Sequence, residues 1–200
     1  MGILNYPNGY KQKNNLLKKT STTNFGKRGM NFEEAINQSN AYYLTHNMCV
    51  IHKKPTPIQI VKVDYPKRSM AKISEAYFKQ ASTTDYNGVY KGKYLDFEAK
   101  ETRQKTSFPF RNFHKHQLLH MEQALTHGGI VFTLLFFSSL NRVFYYPAEN
   151  LLQQVHTANR KSLKLSKIEQ EGIEITVKIA PTIPYLEAVD QFLQQHNSLI

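Results

Sequence analysis

The chain has 200 residues, with 26 Lys and Arg against 15 Asp and Glu, a net charge of +11. Its 40% hydrophobic content excludes wholesale disorder and allows one domain with a buried core. No apolar run reaches the roughly 18–20 residues that span a bilayer, and residues 1–15 lack a continuous apolar stretch, so we expect neither a membrane segment nor a secretory signal. The single Cys49 excludes an intramolecular disulfide and fits a reducing compartment. The charge favours a polyanionic partner, with nucleic acid first and a membrane surface second.

The excess charge lies in two segments. Residues 1–30 carry six cations and no acid, and residues 52–72 carry six cations against Asp64. Elsewhere 14 basic and 14 acidic residues cancel. We interpret residues 1–29 as a flexible basic arm and residues 30–200 as the folded domain, and we expect both basic segments to contact phosphates. The alternative is a solvated surface that only keeps the protein soluble.

The first predicted element is a helix over residues 31–44, with Asn31 as its N-cap. Residues 48–52 and 58–65 predict strands, because the first run is apolar and the second alternates between apolar and polar residues. Residues 66–81, which follow, are basic and polar and contain an exposed aromatic pair.

The middle of the chain predicts a β-hairpin over residues 87–101 and a helix over residues 112–127. Residues 130–137 are continuously apolar and bounded by turn residues, which indicates a strand buried on both faces. The later pattern predicts a strand at 142–147, a helix at 148–156, a polar connection, a weak strand at 175–180 and a helix at 185–195. This mixture predicts an α/β fold in which helices cover a sheet.

Acidic and basic side chains concentrate in and before the predicted hairpin. Strand alternation places Asp96, Glu98 and Lys100 on one face and the apolar residues between them on the other. The hairpin brings Asp85 close to Glu98. Two neighbouring carboxylates repel each other unless a cation lies between them, and Mg²⁺ prefers oxygen ligands. Lys100 would then stand beside the metal, where it orients water or stabilises charge on a phosphate. The alternative is a surface strand with an ordinary Glu–Lys pair.

Three further residues are candidates for the same site. Gln117 lies on the inward face of its helix and contacts either the metal or its water, or else the backbone. Thr83 offers a hydroxyl or a backbone carbonyl to the same ion. Glu33 is a candidate additional carboxylate, with a surface charge as the alternative.

Other features favour ordinary structural roles. His114, His116 and His120 include an i, i+4 pair, but no Cys-x-x-Cys or His-Glu-x-x-His motif accompanies them, so we do not expect a zinc site. Cys49 lies in an apolar stretch, which favours a core thiol over a nucleophile.

Several runs of residues carry a resemblance to a known family. They are NYPNG (5–9), RGM (28–30), IHKKPTP (51–57), YPKR (65–68), EAYF (75–78), STTDYNG (82–88), DFEAKET (96–102) and KTSFP (105–109). On these runs the sequence resembles the RecU-type Holliday junction resolvases of bacteria, which belong to the PD-(D/E)xK nuclease superfamily. The similarity covers most of the chain and is weakest in the arm and after about residue 150. Thr84 stands where the wider class has a proline.

The resemblance implies a restriction-endonuclease-like fold, an α/β architecture in which a mixed β-sheet is flanked by helices and a stalk protrudes at about residues 55–81. It also implies a homodimer that cleaves four-way junction DNA in homologous recombination and repair. Mg²⁺ is the implied cofactor, with Mn²⁺ as a substitute. RecA recombinase and the branch-migration machinery are the implied partners. The implied location is the bacterial cytoplasm, in association with the nucleoid.

Position by position, the resemblance assigns Thr83, Asp85, Glu98 and Gln117 to the metal site and Lys100 to stabilisation of the transition state. Asp96 is an additional acid on the same face. The candidate DNA contacts are Arg28, Lys53, Lys54, Lys67, Arg68, Lys72, Tyr77 and Phe78, with the two aromatic residues toward the tip of the stalk.

Two other functions fit parts of the sequence. The basic segments alone fit a non-catalytic protein that binds junctions or mediates recombination. A sequence-specific restriction enzyme would share the chemistry of the carboxylate site.

Overall fold

The computed structural model of the chain describes residues 31–67, 70–79, 83–157 and 159–197. The helices are α1 (Phe32–Thr45), α2 (Lys115–Thr126), α3 (Ala148–Thr157), α4 (Leu165–Glu171) and α5 (Tyr185–Asn197), with a short 3-10 helix at Phe110–Asn112. The strands are β1 (Val50–Lys53), β2 (Ile58–Asp64), β3 (Lys72–Phe78), β4 (Tyr86–Tyr90), β5 (Lys93–Thr102), β6 (Ser107–Pro109), β7 (Ile130–Phe137), β8 (Arg142–Pro147), β9 (Ser162–Lys164) and β10 (Ile173–Ile175). The predicted arm, residues 1–29, lies outside the described residues, as do Arg28 and Arg68. None of the described helices combines the length and the apolar composition needed to span a membrane.

Six strands form the central sheet in the order β1-β4-β5-β7-β8-β10. The strands β5 and β7 run parallel, with α2 between them in the chain, and the other neighbouring pairs are antiparallel. This mixed sheet with helices on both faces confirms the predicted α/β class. β7 is buried along its whole length because strands flank it and side chains cover both of its faces, as its continuous apolar sequence predicts.

Two hydrophobic cores lie on opposite faces of the sheet. Apolar residues of α1 and α5 cover one face, and those of α2, α3 and α4 cover the other. On the first face, the rings of Tyr86, Phe97, Phe132 and Tyr145 form a column across four adjacent strands, with centroid separations of 4.7, 4.8 and 4.6 Å. Because side chains alternate along a strand, this column fixes β5 from behind while its polar residues face the other way.

The hairpin formed by β4 and β5 follows the prediction closely. Lys91 and Gly92 both have positive φ values, 49° and 75°, which is the conformation of a tight two-residue hairpin turn. Within β4, Gly88 lies so close to β1 that a Cβ atom there would stand 1.9 Å from the carbonyl oxygen of Val50. Glycine is therefore required at this position, and it lets β1 pair beside the hairpin.

The strands β2 and β3 form a separate two-stranded sheet within the predicted stalk. Every residue of β3 is exposed, and the two strands pack mainly on each other. Asp64 pairs with Lys72, so the turn of this hairpin lies between them. We call the segment from residue 58 to residue 78 the stalk hairpin.

The prediction that Tyr77 and Phe78 lie toward the tip of the stalk is wrong. Phe78 pairs with Ile58, at the opposite end of the stalk hairpin from its turn. The reason is that β3 is the returning strand, so its last residues lie at the base. Both rings are nonetheless exposed, at 61% for Tyr77 and 84% for Phe78, as predicted.

The C-terminal third contains elements that the sequence patterns did not reveal. The stretch interpreted as a polar connection contains β9, which pairs with β6, and the helix α4. The weak strand predicted at residues 175–180 is wrong in extent, because β10 covers residues 173–175 and the chain then leaves the sheet. The helices predicted at residues 148–156 and 185–195 are confirmed as α3 and α5.

Candidate active site

Glu98, in the middle of β5, is the centre of the candidate site. Its side chain is fully buried. The Oε1 atom contacts the Lys100 ammonium at 2.6 Å and accepts a hydrogen bond from the Gln117 amide at 2.7 Å. The Oε2 atom accepts the backbone N–H of Asp85 at 3.0 Å. The structure therefore brings together four residues that the sequence predicted to share one site.

Asp85 lies directly before β4 and faces Glu98 across the hairpin. Its Oδ2 atom accepts the N–H of Ala99 at 3.4 Å, and its backbone carbonyl accepts the N–H of Lys54 at 2.8 Å. These contacts fix Asp85 between the end of β1 and the middle of β5. The predicted approach of the two carboxylates is confirmed, because the register of β4 and β5 places the residue before β4 opposite Glu98.

The electrostatics of the pair favour a bound cation. Burial, reinforced by the negative charge of Asp85 and partly offset by Lys100, raises the pKa of Glu98 to about 8. A cation close to both carboxylates would relieve this repulsion, and carboxylate oxygens are the donors that a hard divalent ion prefers. The residues present therefore fit such an ion. Among the described residues, no group of three or more His, Cys, Asp or Glu side chains is placed to hold a metal, so neutral oxygens or water would complete the coordination.

Gln117 is buried on the inward face of α2, as predicted, and it forms the backbone hydrogen bond that was the alternative to metal contact. Its Nε2 atom donates to Glu98, and its Oε1 atom accepts the N–H of His114 at 3.1 Å, where it caps the start of α2. The capping bond fixes which amide atom faces which neighbour. The geometry gives Gln117 the role of orienting Glu98, and its predicted contact with a metal stays a prediction.

Asp96, the additional acid on this face, belongs to a separate network of hydrogen bonds. Its buried carboxylate accepts from Thr84, from Lys54 at 2.9 Å, from Tyr94 at 2.5 Å and from His120 at 3.1 Å. Burial opposes ionisation, but these hydrogen bonds and the charge of Lys54 outweigh it and lower the pKa of Asp96. Asp96 therefore anchors Thr84, the residue that precedes Asp85, and its own oxygens are occupied.

Lys54, whose contact with DNA stays a prediction, has partners within the protein. Its ammonium group binds Thr84 at 2.9 Å and Asp96 at 2.9 Å, and its side chain is only 19% exposed. Lys54 is therefore bound within the site, where it also lines the cleft beside Asp85. Sequence reasoning missed this network because it depends on the pairing of β1 with β4, which residue spacing does not show. The position of Asp96, two residues before Glu98 on the same face, was the available signal.

A cleft of about 510 Å³ opens beside the carboxylates, between the start of α1, the connection from β1 to β2 and residues 83–85. Its lining includes Glu33, Lys53, Thr83 and Asp85. Glu33 is half-exposed and forms an ion pair with Lys53, so both predicted residues lie at the mouth of the site with their charges paired. The Thr83 hydroxyl donates to the carbonyl of Thr84 at 3.4 Å.

Four further predicted DNA contacts lie on the described part of the stalk hairpin. Lys67, Lys72, Tyr77 and Phe78 are all exposed, as expected for residues that contact a large ligand. No ion pair of the described residues includes Lys67 or Lys72. Arg28 and Arg68 belong to the same set in the sequence but lie outside the described residues.

The three histidines at the start of and within α2 contact neighbouring side chains, and Cys49 is buried in the core. His120 contacts Asp96, and the rings of His114 and His116 stack with centroids 5.4 Å apart. The structure groups no metal ligands around them within its described residues. Burial raises the pKa of Cys49 to about 11, which fits a thiol in the core and disfavours a nucleophile.

The family is decided by comparison with known proteins. Residues 27–191 match the model of the family described as recombination protein U. The chain belongs to the RecU family. It is 55% identical to the Holliday junction resolvase RecU of Lactiplantibacillus plantarum, over 98% of this chain and 99% of that protein. It is 56% identical to the Holliday junction resolvase RecU of Streptococcus suis, over 96% of this chain and 95% of that protein.

A solved structure gives a more distant similarity to this chain. It is that of Hjc, a Holliday junction resolvase from Archaeoglobus fulgidus, with a TM-score of 0.34 and 15% identity. The match covers 52% of this chain and 78% of that one.

Proposed function

We propose that the chain is a structure-selective endonuclease that resolves four-way DNA junctions in homologous recombination and repair. The observation that carries this proposal is the contact set of Asp85, Glu98, Lys100 and Gln117 inside a strongly basic chain. Relatives that match it along nearly their whole length are named Holliday junction resolvase RecU, which supports the substrate.

The carboxylates of Asp85 and Glu98 would hold a divalent cation, Mg²⁺ or Mn²⁺, with Thr83 as a candidate third ligand. When bound, the ion would neutralise the scissile phosphate and lower the pKa of the attacking water. The chain itself holds Glu98 in place through Gln117 and the N–H of Asp85. A fixed Glu98 keeps the reacting groups aligned without reorganisation.

Lys100 is the residue placed to stabilise negative charge as it develops on the phosphate. Its ammonium group lies 2.6 Å from Glu98 and is 20% exposed, so it can contact a substrate while it remains anchored. In a site with little water, such a charge contributes more to the transition state than it would in solution.

Substrate geometry favours a homodimer. A four-way junction has approximate two-fold symmetry, and a two-fold dimer would place two identical sites on two strands of like polarity. The stalk hairpin supplies phosphate contacts through Lys67 and Lys72, with Arg28 and Arg68 as further candidates from the sequence. Tyr77 and Phe78 can stack on bases that open at the crossover.

The direct test is cleavage of a labelled four-way junction with Mg²⁺ or Mn²⁺. We expect paired nicks by the wild-type chain. Asp85→Ala and Glu98→Ala should abolish nicking and retain junction binding. Asp190→Asn is the matched control, because this acid pairs with Lys91 outside the site. Absence of nicks across several metals and salt concentrations would overturn the proposal.

The same assay separates the alternatives. A non-catalytic protein that binds junctions or mediates recombination, with RecA as a partner, would bind and pair strands without nicking even as wild type. A sequence-specific restriction enzyme would cut a linear duplex as readily as a junction of the same sequence.

A further inference from the structure

Two clefts open on the helical side of the small sheet formed by β6 and β9. The first, of about 430 Å³, is lined by Gln104, Arg111, Lys161 and the start of the 3-10 helix. The second, of about 630 Å³, lies between α3, β9 and α4 and includes Arg160 and Lys164. Ser162 lines both clefts, so they adjoin along β9. Neither cleft is lined by an acidic residue.

The fold brings together, along the two clefts, basic residues from two separate stretches of the sequence. Residues 103–116 carry four Lys and Arg and no acid, and residues 150–168 carry another four and no acid. The structure joins the two stretches by pairing β6 with β9 and by a hydrogen bond of 3.0 Å from the N–H of Phe110 to the carbonyl of Lys161. Cations that are balanced by acids in the count outside residues 1–30 and 52–72 are therefore grouped on one surface.

Few of these cations have an anionic partner within the protein. Of the eight, Lys167 forms an ion pair, with Glu171 at 2.6 Å. No ion pair of the described residues includes the other seven, which are Arg103, Lys105, Arg111, Lys115, Arg160, Lys161 and Lys164, all exposed. Exposed cations without an anionic partner create a positive potential that attracts an anion from solution.

The surface begins beside the candidate active site. The side-chain amide of Asn112 donates to the backbone carbonyl of Glu101 at 3.5 Å, and Glu101 follows Lys100 in β5. Arg111 precedes Asn112 and lines the first cleft. The first cleft therefore lies close to the end of β5, and Ser162 connects it to the second cleft.

We propose that Arg111, Arg160, Lys161 and Lys164 bind the phosphate backbone of a duplex DNA arm that leaves the active site. This inference rests on the proposed function. The chemistry of the lining supports a backbone ligand, because hydroxyl and amide side chains accompany the cations, as is typical of phosphate contacts. The second cleft contains no aromatic residue, unlike the stalk hairpin, so it favours a duplex over unstacked bases.

The test compares two double variants that remove equal charge. Arg160→Gln/Lys161→Gln removes two cations from the proposed surface. Lys91→Gln/Lys178→Gln removes two cations that form ion pairs with Asp190 and Glu187. Binding of a fluorescent four-way junction with long arms is measured in a metal chelator over a range of salt concentrations, so that no cleavage occurs.

The first variant should lose about tenfold in affinity at 0.1 M salt, and the slope of log K against log [salt] should fall by about 1.8, since each phosphate contact contributes roughly 0.9. The paired-lysine variant should keep the wild-type slope. Equal slopes for the two variants would overturn the proposal, because the effect would then reflect net charge alone.

A second measurement locates the contact on the DNA. With junctions whose arms are shortened stepwise, the difference between wild type and the Arg160→Gln/Lys161→Gln variant should disappear once the arms no longer reach the clefts. A defect that persists on the shortest arms would place the contact at the crossover and overturn the proposal. Wild-type nicking is measured separately with Mg²⁺, so failure of the proposed function is recognised as a loss of nicking with the binding results intact.

Discussion

The candidate active site and the stalk hairpin differ in how much of their environment the protein itself supplies. At the site, Glu98 is buried and receives contacts from Lys100, Gln117 and the backbone. On the stalk hairpin, every residue of β3 is exposed, and Phe78 presents 84% of its surface to solvent. The side chains of the candidate active site are held by contacts within the protein, whereas the side chains of β3 are exposed to solvent.

This difference implies a division of labour. Chemistry on a phosphate needs groups held within fractions of an ångström, which buried contacts provide. Recognition of a branched DNA shape needs reach and exposed surface, which a two-stranded hairpin provides. Variants of the site should therefore change the rate of cleavage or the stability of the fold, whereas variants of the stalk hairpin should change affinity.

The largest effect is expected for Lys100→Met. Removing the ammonium group removes stabilisation of the charge that develops on the phosphate, so the rate of junction cleavage at saturating protein should fall by about 10²–10³-fold. Junction affinity should change by less than about threefold. Single-turnover cleavage and chelator-based binding measure the two quantities, with Lys91→Met as the surface control. A drop in affinity that matches the drop in rate would assign Lys100 to binding instead.

The next effect concerns stability and pH at Glu98. The pKa of this residue is about 8 in the fold against 4.5 for an ordinary Glu, so between these values the folded state holds one more proton than the unfolded state. The free energy of unfolding of the metal-free wild type should therefore fall as the pH rises through that window, by up to about 1.4 kcal/mol per pH unit. The free energy of unfolding of Glu98→Gln should not show this dependence on pH. Raising the pH from about 5 to about 8.5 in chelator should therefore destabilise the wild type more than the variant, as measured by urea unfolding.

Metal addition completes that test. Mg²⁺ or Mn²⁺ at pH 8.5 should raise the Tm of the wild type and leave Glu98→Gln nearly unchanged, because a ligand that binds the folded state stabilises it. Parallel pH slopes for the two proteins, or an equal rise in Tm with metal, would contradict the role given to Glu98.

The sequence predicted the site well where local geometry decides position. Alternation along β5 placed Asp96, Glu98 and Lys100 on one face, and a two-residue turn made the hairpin that brings Asp85 to Glu98. These relations depend on residues within about 20 positions of one another. The structure keeps these relations because the buried rings on the other face of β5 hold the strand in a regular conformation, in which side chains alternate between faces.

The sequence failed where pairing over longer distances decides position. Lys54 joins the site because β1 pairs with β4, and the aromatic pair lies at the base of the stalk hairpin because β3 returns to Ile58. β9 has only three residues and owes its existence to β6. A local sequence pattern does not show which distant strand a segment pairs with. The basic surface along β9 was missed for this reason, because it forms only when β6 and β9 pair.

The smallest effect is expected for Phe78→Ala, which tests the contribution of the exposed stalk hairpin to junction affinity. The ring contacts little in the free protein, so the variant should keep its Tm within about 1 °C, as exposed substitutions do. If Phe78 stacks on a base at the crossover, junction affinity should fall by about 1–3 kcal/mol, or roughly 5–150-fold, while affinity for a linear duplex of the same sequence should not change, because its bases are already stacked. Ile73→Ala on the same strand is the matched control, since it removes apolar surface without an aromatic face. Equal losses on junction and duplex would show that Phe78 contacts the DNA backbone, and the stalk hairpin would then contribute reach without recognising open bases.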